Sequence, residues 1–271
     1  MSVLSAAILA VIQGLTEFLP VSSSGHLVLG EALLGSHAFE NSIAFELVVH
    51  LGTFLAVVVI FWKDILNLSS VFFPRLLKPS QWKTEYSSNP DFKLSVLMIL
   101  AMLPAGFLGL LLRDYISDLF SKPFMVSLAL LVTGAMLFST KYFKRTNQSI
   151  NAKQAILIGF AQALALIPGI SRSGSTITMA LALGVKQEQA ARFSFIMVLP
   201  LIVAATALEF KDLLEVGISF DESVVLVVGL LVSFIVGYVS LKWLLQLLRQ
   251  GRLHYFAWYC FSIATLGLFY F

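Results

Sequence analysis

The sequence predicts an all-α integral membrane protein: six transmembrane helices and two re-entrant helix-loop-helix hairpins, arranged as an inverted-topology repeat. Three observations lead there. The chain of 271 residues is 58% hydrophobic and only 12% charged, outside the range of ordinary soluble domains. Six runs approach the ~20 apolar residues that a bilayer-crossing helix needs: Ile43 to Trp62, Leu94 to Leu112, Pro123 to Thr140, Ala190 to Glu209, Ser223 to Leu241 and Leu253 to Phe271. Two polar loops of one plan interrupt segments that are apolar but too short to cross.

The first loop is Glu17-Phe18-Leu19-Pro20-Val21-Ser22-Ser23-Ser24-Gly25-His26, and the second is Ile167-Pro168-Gly169-Ile170-Ser171-Arg172-Ser173-Gly174-Ser175-Thr176. Each follows an apolar helix, passes a proline, then runs through serines and a glycine into a second short apolar helix. Laying residues 6–25 on 155–174 pairs Ala6 with Ala155, Gln13 with Gln162, Ser24 with Ser173 and Gly25 with Gly174. The helical stretches after the loops, Leu27 to Leu34 and Ile177 to Val185, cannot span a bilayer. Each loop therefore sits either in a broken crossing helix or at the tip of a hairpin that enters and leaves on one side.

Charge decides between these. With both segments as hairpins, the six spans gather nearly all lysines and arginines on one face. Only Arg113, Lys122 and Lys211 fall on the other, with Arg172 inside the second loop. With both crossing, the basic residues divide far more evenly, so the positive-inside rule favours hairpins and places both termini outside the cytoplasm. Three spans separate the hairpins, and an odd number inverts the second copy. The chain is then one membrane domain, 1–271. Its first repeat is 1–140 (hairpin 2–34 and three spans), and its second is 152–271 (hairpin 152–185 and three spans). Irregular backbone at that depth is tolerable only against protein or a wet cavity, so a polar chamber is expected between the tips.

The remaining segments constrain less. Residues 1–16 lack a basic flank, the first Lys or Arg being Lys63, and are read as part of the fold and not as a cleaved signal peptide. In the long connection 63–92, Lys63 to Phe73 suits an interfacial amphipathic helix, while Lys78 to Pro90 is polar and ends in a turn-like Ser87-Ser88-Asn89-Pro90. Pro104 and Pro200 are expected to kink their spans. The lone Cys260 excludes an internal disulfide and a cysteine metal site. A net charge of +3 is spread over loops between spans and does not form a nucleic-acid patch.

The loops hold the residues suited to chemistry. Gln13 and Glu17 share a helix face, and a carboxylate at membrane depth by default marks function. Ser22, Ser23, Ser24 and Gly25 open a short helix whose positive end suits phosphate oxygens. Serines also cap helices routinely. His26 can carry protons near neutral pH, and a serine within its reach could be a nucleophile. Arg172, flanked by Ser171, Ser173, Gly174 and Ser175, needs an anionic partner: either Glu17 in a structural ion pair, or a bound phosphate or diphosphate, which is the favoured reading. Carboxylate, histidine, serines, arginine and two helix N-termini around one cavity fit phosphoryl chemistry. Glu46 and His50 sit at i,i+4 and either line that cavity or satisfy one another. His37 and His254 lie at loop or interface positions.

These motifs resemble the undecaprenyl-diphosphate phosphatase family of bacterial membrane enzymes, also described as bacitracin-resistance proteins. The markers are residues 13–26, from Gln13 through Glu17 to His26, and Pro168-Gly169-Ile170-Ser171-Arg172-Ser173-Gly174, and the resemblance covers essentially the whole chain. The family's first motif is Glu or Gln, three residues, then Glu, so Glu17 is here the single carboxylate of that pair. The resemblance implies hydrolysis of undecaprenyl diphosphate to the monophosphate carrier lipid and phosphate in the bacterial inner membrane, with a divalent cation, Mg or Ca. It implies Ser23 as nucleophile and His26 as acid/base, with attack by His26 or by water still open. Glu17 would orient His26 or help bind metal, and Arg172 would clamp the diphosphate. Gln13, Ser22, Ser24, Gly25, Ser171, Ser173 and Gly174 complete the binding set. The competing class is a transporter or flippase of polyprenyl phosphate lipids, which needs Arg172 but no nucleophile.

Overall fold

The computed structural model describes residues 2–34, 43–144, 146, 148–203 and 220–271. Those residues are helical throughout their ordered elements, and the one β contact among them is an isolated bridge between Gln148 and Val185. Helices α1 (Val3–Thr16) and α2 (Ser23–Leu34) form the first hairpin, and α9 (Ala152–Leu164) and α10 (Arg172–Ala182) the second. Between them run α3 (Ile43–Ile60), α4 (Trp62–Leu76), α5 (Trp82–Ser88), α6 (Pro90–Leu111), α7 (Arg113–Phe120) and α8 (Pro123–Ser139). After them come α11 (Gln187–Met197), α12 (Phe220–Arg249) and α13 (Tyr255–Tyr270). Among the described residues, α6, α8 and α12 are long and apolar enough to cross a bilayer, and α3 with α4 makes a further candidate bent by 83°.

Local chemistry accounts for where these helices begin. The Asn89 side chain accepts from the backbone N–H groups of Asp91 and Phe92, and Pro90 occupies the first helical position of α6, where a missing N–H costs nothing. Asn151 and Gln154 form a reciprocal capping box at the start of α9. The stretch expected to be an amphipathic helix is helical, as α4, turned away from α3 after Ile60. The stretch Lys78 to Pro90, read from sequence as a plain polar connection, contains α5. Arg75 Nε to Glu85 Oε2 at 2.6 Å and Trp82 Nε1–H to Arg75 O at 2.8 Å fold it back onto α4.

The expected continuous span Ala190 to Glu209 is interrupted. Helix α11 stops at Met197 with a turn at Val198, and helix resumes over 199–203, around Pro200. The rest of that run lies outside the described residues, as do His37 and Lys211.

The halves are interlocked. Helix α1 of the first hairpin packs along α12, near the C-terminus, while α9 of the second packs along α6 of the first half. Both contacts need small residues. A Cβ on Gly14 would stand 2.9 Å from Val236 Cβ, and one on Gly159 would stand 2.4 Å from Ala101 O. Ser240 Oγ donates to Gly14 O at 2.7 Å, a hydrogen bond that holds α12 on α1. Behind the loops, Phe18, Phe195 and Phe61 pack as an aromatic cluster, with Phe18 edge-on to Phe195 at 5.8 Å.

Candidate active site

The two tips meet. A Cβ on Gly25 would lie 3.0 Å from Gly169 Cα, and one on Gly174 would lie 3.3 Å from Pro20 Cβ. Ser173 Oγ donates to Phe18 O at 3.0 Å, joining one tip to the other. The second tip is also tied to α8: Thr133 Oγ1 donates to Gly169 O at 2.8 Å and accepts from Ser171 N–H at 3.0 Å. Gly169, at φ 96°, takes a conformation closed to most side chains, and a Cβ there would collide with Val126 O.

Within each tip the same bonds recur. Ser22 Oγ accepts from Gly25 N–H at 3.2 Å, as Ser171 Oγ accepts from Gly174 N–H at 3.1 Å. The Ser22 and Ser24 hydroxyls lie 3.2 Å apart, and those of Ser171 and Ser173 lie 3.3 Å apart. The serine-glycine spacing thus caps both short helices and turns their N-termini toward one space.

That space is a cavity of about 190 Å³, lined by Thr16, Glu17, Ser22, Ser23 and Ser24 from the first tip and by Ala165, Ile170, Ser171 and Arg172 from the second. Glu17 is its hub. Oε1 accepts from Arg172 Nη2 at 2.6 Å, while Oε2 accepts from Gln13 Nε2 at 3.1 Å and Ser23 Oγ at 3.3 Å. The Glu17 side chain is 10% exposed and that of Arg172 20%, so this ion pair is largely out of water. Arg172 is not exhausted by it: Nη1 is buried and has no acceptor among the described residues. A buried guanidinium donor left without a partner is costly, and an entering anion is the natural acceptor.

The structure therefore joins Glu17 to Arg172 directly, the pairing that the sequence left as the alternative, and still leaves Arg172 donors for a ligand. Gln13, Ser22, Ser23, Ser24, Gly25, Ser171, Ser173 and Gly174 all fall at or beside the cavity. His26 does not line it. Its Nδ1 is 2.8 Å from Ser22 O and its Nε2 is 2.7 Å from Tyr259 Oη on α13. Glu46 and His50 do not line it either, and His50 Nδ1 bonds the Glu46 backbone carbonyl, not its carboxylate. His254 sits at the start of α13 against Tyr255. Sequence reasoning missed Tyr259, Thr133 and Thr16. The last two carry the weak signal of a threonine in an apolar helix, whereas nothing local distinguishes Tyr259 from other span aromatics.

A metal finds little to hold it here. No group of three or more His, Cys, Asp or Glu side chains converges among the described residues. Both Glu17 oxygens already accept hydrogen bonds, one from a cation, so this donor set does not fit a resident divalent ion.

The family model for bacitracin resistance protein BacA matches residues 6–266. An undecaprenyl-diphosphatase of Methanosphaera stadtmanae is 39% identical over 275 aligned positions, covering 99% of this chain and 98% of the relative. One of Salinibacter ruber is 39% identical over 263, covering 97% of each. One of Bacteroides thetaiotaomicron is 40% identical over 272, covering 99% and 98%.

Proposed function

Because the chain belongs to the bacitracin resistance protein BacA family, we propose that the facing serine loops are where it hydrolyses undecaprenyl diphosphate. The activity is that of a phosphoric anhydride hydrolase, releasing inorganic phosphate and returning undecaprenyl phosphate as a carrier lipid for cell-wall synthesis. The observation that carries the site assignment is Arg172, which spans both tips through Glu17 and, among the described residues, keeps a buried Nη1 donor unpaired at a cavity lined by Ser22, Ser23, Ser24 and Ser171. The diphosphate enters between the two helix N-termini, and its non-bridging oxygens take up the Arg172 donors and the hydroxyls of Ser22 and Ser171, which line the cavity.

Once phosphate oxygens compete for the guanidinium, Glu17 is freed to accept the proton of Ser23. Ser23 Oγ then bonds to the terminal phosphorus, and the bridging P–O bond breaks with undecaprenyl phosphate as leaving group. Water cleaves the phosphoseryl ester to release phosphate. The prenyl tail stays in the apolar phase. An open apolar groove of about 800 Å³ between α4, α6 and α11, lined by Phe72, Met102, Phe107 and Met197, gives it a surface. A magnesium or calcium ion would come as a companion of the diphosphate and be held mainly by its oxygens. The topology that suits this reading is six spans and two re-entrant hairpins in inverted repeat, in the bacterial inner membrane with both termini outside.

A flippase would need the Arg172 clamp but has no use for a carboxylate against a serine hydroxyl, so the Ser23–Glu17 contact favours hydrolysis. The test is phosphate release from undecaprenyl diphosphate by purified protein in detergent, where sidedness is lost and transport contributes nothing. Wild type releases phosphate and folded Arg172→Ala does not. A wild type inactive with Mg or Ca present would sink the assignment.

A further inference from the structure

We infer that His26 and Tyr259 form a brace that fixes the turn presenting Ser23, making His26 a positioning residue and not the proton carrier of the reaction. The inference rests on the phosphatase reading with Ser23 as its reactive residue. Among the described residues, Ser22 is the one non-glycine residue at positive φ, 68°, a region that side chains rarely occupy unless something holds them there. Two donors of one residue hold it: the backbone N–H of His26 at 3.2 Å and His26 Nδ1 at 2.8 Å, both on Ser22 O. A carbonyl oxygen only accepts, so Nδ1 carries the proton. In the neutral ring Nε2 is then an acceptor, and the Tyr259 hydroxyl donates to it at 2.7 Å. The two rings are nearly parallel, 5° apart. Both ring nitrogens are thus committed away from the cavity, while Ser23 and Glu17 line it.

The second loop supplies an internal comparison. Ser175 stands where His26 does, and its Oγ donates to Ser171 O at 2.8 Å, the same bond from position i to the carbonyl of i−4. A serine with no acid-base role at neutral pH therefore makes the bond that His26 makes. The difference lies in the turn: Ser171 has φ −73° and no strain to hold, whereas Ser22 is strained, and the side chain above it is anchored again by another helix. Cys260, next to Tyr259, reaches Pro20 O with its Sγ at 3.8 Å, so α13 grips the first tip at two points.

The test uses the full chain in detergent and the stereochemistry of the amides, since an asparagine carboxamide nitrogen overlays Nδ1 and a glutamine nitrogen overlays Nε2. For a brace, His26→Asn keeps the donor to Ser22 O and phosphate release stays within about 10-fold of wild type. Tyr259→Phe, which removes only the hydroxyl, lowers kcat about 10-fold at unchanged KM. For a proton carrier, folded His26→Asn loses about 10²–10⁴-fold, as His26→Ala does, and that result overturns the inference. A second readout needs no turnover: 15N-histidine spectra, with the His26 signals assigned by their loss in His26→Asn. The brace requires a neutral Nδ1–H ring whose Nε2 resonance shifts in Tyr259→Phe. An Nε2–H tautomer overturns it even if wild type proves inactive, an outcome that would count separately against the phosphatase reading.

Discussion

Removing Arg172 strands a carboxylate, and the cost follows from where Glu17 sits. Its side chain is 10% exposed and its shortest contact is the 2.6 Å bond from Arg172 Nη2. Losing one partner of a buried pair costs about 3–5 kcal/mol. Gln13 Nε2 and Ser23 Oγ still donate to the orphaned carboxylate, which puts Arg172→Met at the low end, about 3 kcal/mol. At about 2–4 °C per kcal/mol for a chain of this order of size, the midpoint of thermal unfolding in detergent drops by about 6–12 °C. Adding Glu17→Gln removes the stranded charge, so the double variant returns to within about 1 kcal/mol of wild type while remaining inactive. The assay is thermal unfolding of wild type, both single variants and the double, closed as a double-mutant cycle. If Arg172→Met unfolds at the wild-type temperature, or if the two losses simply add, the pair does not carry charge compensation and the reasoning is refuted.

Three further outcomes are expected. Ser23→Ala lowers kcat by about 10³-fold or more while Ser24→Ala, whose hydroxyl meets Ser22 and not Glu17, keeps most of its activity; equal losses in a phosphate-release assay would remove Ser23 from its role. Gly169→Ala, which forces a Cβ to 2.4 Å from Val126 O at φ 96°, costs at least the ~1–3 kcal/mol of overpacking, and an unchanged unfolding midpoint would contradict the tight seating of the second tip on α8. Chelation stops phosphate release and Mg or Ca restores it, yet calorimetric titration of either ion into substrate-free protein gives a Kd no tighter than about 10⁻³ M; tight binding without substrate would reveal a resident site.

What could be read in the sequence is what the backbone dictates locally. The serine-glycine spacing of the two loops translated into matching cap bonds at Ser22 and Ser171 because a cap needs only a hydroxyl and an N–H a few residues on. Gln13 and Glu17 share a face because helical periodicity leaves no alternative. The partner of Arg172 was not readable in this way: whether its guanidinium meets Glu17 or a ligand depends on how closely two distant tips approach, which rests on the packing of Gly14 of α1 against α12 and of Gly159 of α9 against α6. The partners of His26 were not readable for a related reason. Its chemistry suggests proton transfer, while its position four residues after Ser22 commits one nitrogen to that carbonyl, and only the fold brings Tyr259 to the other. The break at Val198 and the helix at Trp82–Ser88 were hidden because hydropathy averages over a window longer than either feature.

The interlocking of α1 with α12 and of α9 with α6 also sets an order of events during biosynthesis. The first hairpin ends at Leu34, but the helix that covers it begins at Phe220. At about 5–20 residues per second of synthesis, that is a wait of about ten to forty seconds. For most of it, Glu17 and the serines of the first tip lack Arg172, and throughout it they lack α12. The chain can seat its first hairpin in its final packing only after α12 has arrived.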